Sequence, residues 1–152
     1  MAFWLFKSEP NTWGWADQIA RGTKGEPWDG VRNFLANKNM KQMQLGDRGF
    51  FYHSVNEKCI VGPVEIIKTH YPDHTDPKGR FGMVDIQALE TASYQTTLAE
   101  IKAEPKLENM VLVNNSRLSV QPVTASEWKF VCKMSGLDPK RTKANVAENA
   151  QP

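Results

Sequence analysis

Two neighbouring segments constrain the fold more than any other part of the chain. Residues 48–53 predict a strand in which aromatic side chains follow one another without a polar gap. Phe50 and Tyr52 point to one side of such a strand, and the residues that alternate with them point to the other. A strand that is apolar on both faces has to be covered on both, by the core and by helices. Residues 59–69 predict a second strand, and the polar turn at 56–58 joins the two.

The remaining signals alternate short strands with short helices. Gly62-Pro63 inside the second strand marks a bulge or a sheet edge, because proline cannot donate to a strand ladder. Thr97 and Thr124 each open a capping box. This order predicts an α+β fold, with a curved, mostly antiparallel sheet and peripheral helices, rather than a doubly wound sheet. The further predicted elements are strands over 2–7, 83–89 and 117–120, and helices over 12–21, 34–43, 97–105 and 124–136.

Size and charge limit the kind of protein. A chain of 152 residues is one domain by its size and can bury a core. Its 19 basic and 17 acidic side chains give a net charge of +2, so nucleic-acid binding would depend on a small basic patch rather than an extended wrap. Residues 1–137 form the predicted domain. Residues 138–152 lack an apolar period and are predicted to be a disordered tail.

The cysteines and the apolar runs indicate a compartment. Cys59 and Cys132 fall within a predicted strand and a predicted helix, which favours buried free thiols in a reducing environment. The apolar run at 3–6 is too short for a signal peptide, and no stretch reaches transmembrane length. We therefore expect a cytoplasmic protein without a membrane partner, or a nuclear one if the source is eukaryotic.

Four short polar-aromatic segments stand at the ends of predicted elements, where side chains leave the core. They supply flat aromatic faces, short neutral hydrogen-bonding groups and a few cations, which suit a planar polar ligand on an anionic chain, such as a nucleobase. Trp28 lies in a glycine-rich loop, where it can wall a pocket or pack into the core. Asn33 can cap a helix or present its amide to a base edge. The segments are 7–10, 28–33, 51–54 and 117–120.

Lys7, Arg32 and Arg117 are candidate phosphate contacts because they stand beside the polar segments.

Other chemistries, such as metal binding and nucleophilic catalysis, find less support in the sequence. A loop with two histidines and two aspartates (His70, Asp73, His74, Asp76) has neither a helix to align the histidines nor a cysteine pair to assist. There is no nucleophile elbow and no phosphate-cradling glycine loop. We expect no metal and no cofactor.

The succession of these segments, from residue 2 to residue 134, resembles the EVE domain family. The resemblance implies a PUA-like fold, a small barrel-like sheet flanked by helices, related to the YTH readers of methylated adenine. It also implies a pocket that accepts a modified base flipped out of DNA or RNA. Many members are similar in carrying Gln-Ala-Arg after the Val-Arg-Asn motif, whereas Leu35-Ala36-Asn37 follows here, so one backbone-contacting arginine is missing. The implied base-pocket residues are Ser8, Trp28, Asn33, Tyr52 and Ser54, with Arg117 at the rim.

The leading hypothesis is a monomeric, non-enzymatic reader of DNA or RNA that carries a modified base. The alternative is a hydrolase, because the ASCH group of PUA-like relatives resembles enzymes that act on nucleic acid or modified nucleosides. Lys7 and Glu9 would then form an acid–base pair. On a regular strand the two would share a face that Ser8 does not, unless Glu9-Pro10 ends the strand.

Overall fold

A six-stranded sheet organises the protein, and the computed structural model describes residues 1–140 of it. The strands lie in the order β2-β5-β4-β3-β1-β6. Only β1 and β3 pair in parallel; the other neighbours are antiparallel. The predicted α+β class and mostly antiparallel sheet are confirmed. The strands are β1 (Phe3–Ser8), β2 (Glu26–Pro27), β3 (Arg48–His53), β4 (Cys59–Pro72), β5 (Gly82–Ala88) and β6 (Val120–Val123).

The hairpin of β3 and β4 forms the centre of the sheet, as its aromatic pattern predicts. All six residues of β3 are buried. Phe51 belongs to the core cluster on one face, whereas Phe50 and Tyr52 belong to the cluster on the other. The register between the strands shifts opposite Gly62, which confirms a bulge, and β4 is an interior strand rather than an edge. A Cβ at Gly62 would lie 2.3 Å from the Trp15 indole, so only glycine fits there.

Helices cover both faces of the sheet. They are α1 (Trp15–Ala20), α2 (Phe34–Gln42), α3 (Leu98–Ala103), α4 (Val111–Asn114) and α5 (Ala125–Met134). The capping boxes predicted at Thr97 and Thr124 are both formed, and the Asn33 side chain accepts a hydrogen bond from the Ala36 N–H at 2.9 Å. The helices in residues 1–140 include none long and apolar enough to cross a membrane.

Two elements begin three residues later than predicted, and local turns explain both. The first helix begins at Trp15 rather than Thr12, because the N–H groups of Thr12 and Trp13 both bond to the Glu9 carbonyl in a turn. The last strand begins at Val120 rather than at 117, because the Leu118 N–H closes another turn on residue 115. Both turns lie at the same end of the sheet.

The two cysteines are buried and free, as the sequence predicts. Burial raises the pKa of the Cys132 thiol to about 12 and also raises that of Cys59. Leu137 packs in the core and the Pro139 carbonyl accepts a bond from the Trp128 indole at 3.4 Å. This contact lies inside the predicted tail of residues 138–152, whose residues 141–152 lie outside the described part of the chain.

Candidate functional site

A cavity of about 420 Å³ opens at the end of the sheet where β1 finishes and β6 begins. The Lys7 N–H bonds to the Ser119 carbonyl at 2.9 Å, so the end of β1 and the turn before β6 form one wall. Short β2 and the loop that follows it form the opposite wall. The lining residues are Lys7, Ser8, Glu9, Thr12, Trp13, Glu26, Pro27, Trp28, Asp29, Gly30, Val31, Arg32 and Ser119.

Trp28 is both a core residue and a wall of the cavity. Its indole packs edge-on against Phe6 and Phe51, with ring centres 5.4 and 5.7 Å away, and the residue is only 9% exposed. The backbone N–H of Trp28 donates to the Val84 carbonyl at 2.7 Å, which ties the loop to β5. The two roles left open by the sequence are therefore both fulfilled. A flat aromatic surface held this rigidly can serve as a stacking wall.

A buried carboxylate fixes the second half of the same loop. Asp73 Oδ2 accepts bonds from the Gly30 N–H at 2.8 Å and the Arg32 guanidinium at 3.1 Å. Its Oδ1 accepts from the Thr75 N–H at 2.7 Å and hydroxyl at 2.6 Å. Burial alone would raise the pKa of Asp73, but these bonds hold it at about 2. Arg32 is thereby held at the mouth of the cavity with its side chain 40% exposed.

The cavity carries charges of both signs. Its described lining includes the cations Lys7 and Arg32 and the carboxylates Glu9, Glu26 and Asp29. Burial lowers the pKa of the Lys7 amine, which donates to the Ser116 carbonyl. Burial also raises the pKa of Glu26, and the nearby Asp29 adds to that rise while an ion pair with Arg21 at 3.1 Å opposes it. Such a mixed lining can accept hydrogen bonds from a ligand as well as attract an anion.

The strand ends where Ser8 needs it to end in order to share a site with Lys7 and Glu9. β1 finishes at Ser8, and Lys7, Ser8 and Glu9 all line the cavity. The Ser8 hydroxyl donates to the Trp13 carbonyl across the turn that follows. A regular strand would have sent Ser8 to the opposite side from its two neighbours.

The structure brings together half of the predicted site residues. Lys7, Ser8, Trp28 and Arg32 line the cavity. The other four, which are Asn33, Tyr52, Ser54 and Arg117, are not among the lining residues.

Tyr52 and Ser54 lie behind the cavity rather than in it. Tyr52 is 2% exposed and packs in the core cluster on the far face of the sheet, because it alternates with Phe51. Burial, together with Cys59, raises the pKa of its hydroxyl to about 12. The Ser54 hydroxyl donates to the Ser8 carbonyl at 3.1 Å, so it supports a lining residue from the neighbouring strand.

Asn33 and Arg117 flank the site. The Asn33 side chain is committed to capping α2, directly after Arg32 in the chain. Arg117 is exposed in the turn two residues before Ser119. Both therefore stand next to lining residues without lining the cavity themselves.

The sequence reasoning missed Asp73, which it considered only as a metal ligand. The loop of histidines and aspartates fixes backbone instead: Asp76 accepts bonds from the N–H groups of Lys78, Arg80 and Phe81 at 2.7–2.9 Å. Within residues 1–140, no cluster of histidine, cysteine and acidic side chains is arranged to hold a metal ion. The signal available in the sequence was the Asp-His-Thr spacing at 73–75, typical of an aspartate that turns back on its own loop.

Asn37 stands where many family members were expected to carry arginine, and it has a structural partner. The residue is 4% exposed. Its Oδ1 accepts from the Gly82 N–H at 3.0 Å and contacts His70 Nε2 at 2.9 Å. These bonds tie α2 to β4 and β5. The departure from the family pattern thus places a helix-anchoring amide inside the fold.

Comparisons with known proteins agree with this architecture. A protein of Rhodopseudomonas palustris, solved by NMR, is 55% identical, with a TM-score of 0.85 over 90% of this chain and 94% of that one. Human thymocyte nuclear protein 1 is 34% identical over 168 residues, covering 90% of this chain and 75% of that protein. Its structure in complex with DNA containing 5-methylcytosine has a TM-score of 0.81 over 91% of this chain and 100% of that chain.

A more distant likeness extends to the fold alone. The YTH domain of a Zygosaccharomyces rouxii protein, solved with N6-methyladenosine RNA, is 18% identical with a TM-score of 0.53, over 94% of this chain and 89% of that chain. The EVE domain family itself matches residues 2–134, nearly the whole described chain. The chain therefore belongs to the EVE domain family.

Proposed function

We propose that this protein binds nucleic acid by accepting one base, flipped out of its strand, into the cavity beside Trp28. The observation that carries the proposal is the cavity itself. Its volume of about 420 Å³ lies within the range of small-molecule sites, and it has one rigid aromatic wall and a polar rim. Human thymocyte nuclear protein 1, which shares the fold, has been solved with DNA containing 5-methylcytosine.

The lining suits a base that has an exocyclic amino group. Carboxylates accept hydrogen bonds from the amino group of cytosine, and Glu26 and Asp29 lie in the wall opposite β1. Thymine and uracil lack that donor. Stacking on Trp28 adds attraction that does not depend on which base is present, roughly 1–3 kcal/mol for an aromatic platform. Together the two contacts offset the few kcal/mol that flipping costs.

A preference for a modified base arises from the apolar part of the lining. Pro27, Trp28 and Val31 form an apolar stretch of the lining, and Trp13 also lines the cavity. A methyl group at this surface gains contact and leaves water, and a single buried methylene-sized group is worth roughly 0.8 kcal/mol. The expected discrimination is therefore several-fold. DNA with 5-methylcytosine is the first ligand to test.

The decisive experiment fills the cavity without disturbing the core. Ser119→Phe adds a ring to a half-exposed lining residue, while Ser126→Phe adds the same ring to an exposed position on α5. Both variants and the unchanged protein are titrated with matched strands, in DNA and in RNA, that differ only in one modified base. Trp28→Ala is less suitable, because removing a packed tryptophan costs about 3–5 kcal/mol of stability.

We expect Ser119→Phe to abolish the preference for the methylated strand while Ser126→Phe retains it and both melt like the parent. Equal preference in the two variants would exclude the cavity as the base site. Formation of a cleaved or altered nucleotide during the titration would instead favour the hydrolase hypothesis, with Lys7 and Glu9 as the first residues to replace.

A further inference from the structure

A second aromatic surface lies outside the cavity, at the start of α2. Phe34 is 67% exposed, which is high for a large apolar side chain. Its ring is nevertheless ordered against Phe81, with ring centres 4.9 Å apart and planes tilted by 31°. The Phe81 N–H is in turn held by Asp76 at 2.8 Å. We call Phe34 and Phe81 the aromatic pair.

The aromatic pair is continuous with the mouth of the cavity. The guanidinium of Arg32 lies over the Phe81 ring, 5.6 Å from its centre, and the same side chain lines the cavity. Arg32 is fixed there by Asp73 and by a bond from Nη2 to the Thr75 hydroxyl at 2.9 Å. A ligand whose flipped part occupies the cavity therefore extends its next unit across Arg32 towards the aromatic pair.

The surroundings of the aromatic pair are basic. Phe34, Lys38 and Lys41 are exposed and spaced four and three residues apart, so they form one outer stripe of α2. Arg80 is exposed next to Phe81. α2 has no acidic residue, and the carboxylates of the adjoining loop are already engaged in hydrogen bonds, Asp73 with Gly30, Arg32 and Thr75 and Asp76 with Arg80. Exposed aromatic rings flanked by cations match the bases and phosphates of a single strand.

We propose that the aromatic pair stacks the nucleobase adjacent to the flipped base. This inference rests on the proposed function, because the flipped base sets the register of the strand. A base next to a flipped one loses a stacking partner, and the exposed ring of Phe34 replaces it. The phosphates on either side then lie near the basic stripe of α2.

The test is a double-mutant-type cycle. It measures the binding affinity of Phe34 variants for strands that keep or lack the base next to the flipped one. The ligands are a short DNA strand with one 5-methylcytosine, the same strand with an abasic site on its 5′ or 3′ side, and 5-methyldeoxycytidine monophosphate alone. The variants are Phe34→Ala, Phe34→Leu and Phe34→Trp. Leu45→Ala is the control, since Leu45 is also 67% exposed but lies just beyond the far end of α2.

We expect Phe34→Ala to weaken binding of the intact strand about fivefold or more and to leave mononucleotide binding unchanged. Phe34→Leu should be as weak as the alanine variant because a leucine has no planar face, whereas Phe34→Trp should bind at least as tightly as the parent. An abasic site on one side should remove the difference between Phe34→Ala and the parent. Leu45→Ala should behave as the parent throughout.

The inference is overturned if Phe34→Ala binds all strands like the parent, or if both abasic strands still show the full loss. It is also overturned if Phe34→Ala changes self-association in sedimentation without changing strand binding, because the ring would then serve a second copy of the chain. A parent protein that shows no preference for the methylated base, while Phe34→Ala still weakens strand binding, would refute the proposed preference for a modified base and leave the stacking surface standing.

Discussion

Asp73→Asn is the substitution that most directly tests how the site is built. The carboxylate joins the cavity loop, through Gly30 and Arg32, to the loop between β4 and β5, through Thr75. Asparagine keeps the size of the side chain but replaces one acceptor oxygen with an NH₂ group. That group would face donors already present, so the bonds to the replaced oxygen are lost and the charge disappears.

The magnitude follows from the pKa of Asp73. The bonds from Thr75, Gly30 and Arg32 hold it at about 2, against an ordinary value of 3.8. The Asp73 side chain has no exposed surface, whereas the side chain of Arg32 is 40% exposed, so solvent screens the Arg32 bond more than the others. A difference of this size corresponds to about 2 kcal/mol of folding free energy at neutral pH, or about 4–8 °C in Tm for a domain of this length.

The pH dependence has a definite sign. Because folding lowers the pKa of Asp73, its stabilisation is fully present above the ordinary value of 3.8 and is lost as the pH falls through about 2. The free energy of unfolding should therefore differ between parent and Asp73→Asn by about 2 kcal/mol at neutral pH, and the two curves should converge in acid. Urea unfolding at a series of pH values measures both quantities.

Asp138→Asn is a suitable control, because Asp138 is exposed and accepts one local bond from the Lys140 N–H at 2.9 Å. It should unfold like the parent at every pH. If Asp73→Asn also matches the parent, with an unchanged acid profile, then the buried carboxylate does not hold the cavity loop. Strand binding should weaken in Asp73→Asn with little change in selectivity, because Arg32, which we propose contacts the backbone of the ligand, would no longer be held at the mouth of the cavity.

The remaining predictions concern the other predicted site residues. Arg32→Ala should weaken binding of methylated and unmethylated strands by similar factors and reduce the salt slope by about one, whereas Arg117→Ala, in its exposed turn, should do so less. Titrations at several salt concentrations measure both, and a loss confined to the methylated strand would mean that the arginine contacts the base. Ser8→Ala should compress the ratio of affinities several-fold, since a neutral hydrogen bond contributes roughly 0.5–1.5 kcal/mol. Ser54→Ala should alter the melting temperature rather than that ratio, because its hydroxyl bonds to the Ser8 carbonyl, and an equal effect of both serines on the ratio would contradict this assignment.

The elements that depend on local rules were predictable from the sequence. The caps at Asn33, Thr97 and Thr124 form as expected, because each is a bond between residues three apart. The placement of the β3–β4 hairpin at the centre of the sheet followed from a strand that is apolar on both faces. Gly62-Pro63 indicated a bulge or a sheet edge, and the register does shift beside Gly62, between its pair with Phe51 and the pair of Tyr52 with Ile60.

The lining residues that the sequence predicted lie at the end of β1 and in the loop that carries Trp28 and Arg32. Lys7 and Ser8 reach the cavity because β1 ends there. Tyr52 does not, although it belongs to a motif that matches the family, because alternation along β3 sends it to the opposite core. The alternation was visible in the sequence, but which face of the sheet would carry the cavity depended on how β1 pairs with β6.

The contribution of Asp73 could not be predicted, because it joins residues 43 apart in the chain. The same holds for the bond between the Trp28 N–H and the Val84 carbonyl. Long-range contacts of this kind follow from the sheet order, which local patterns do not specify. A sequence pattern therefore identified the cavity loop as a candidate site but could not identify what holds it.

These long-range ties also bear on how the cavity binds. A loop that contains Gly25 and Gly30 would be flexible by its composition. Here Gly25 adopts a φ of +66° with no room for a Cβ, which would meet the Ile86 carbonyl oxygen at 2.5 Å, and the loop continues through bonds to β5 and to Asp73. The wall of the cavity is thus ordered by folding rather than by the ligand, so binding does not have to supply that ordering free energy. Loosening the loop at Asp73 should consequently lower affinity even though no atom of Asp73 lines the cavity.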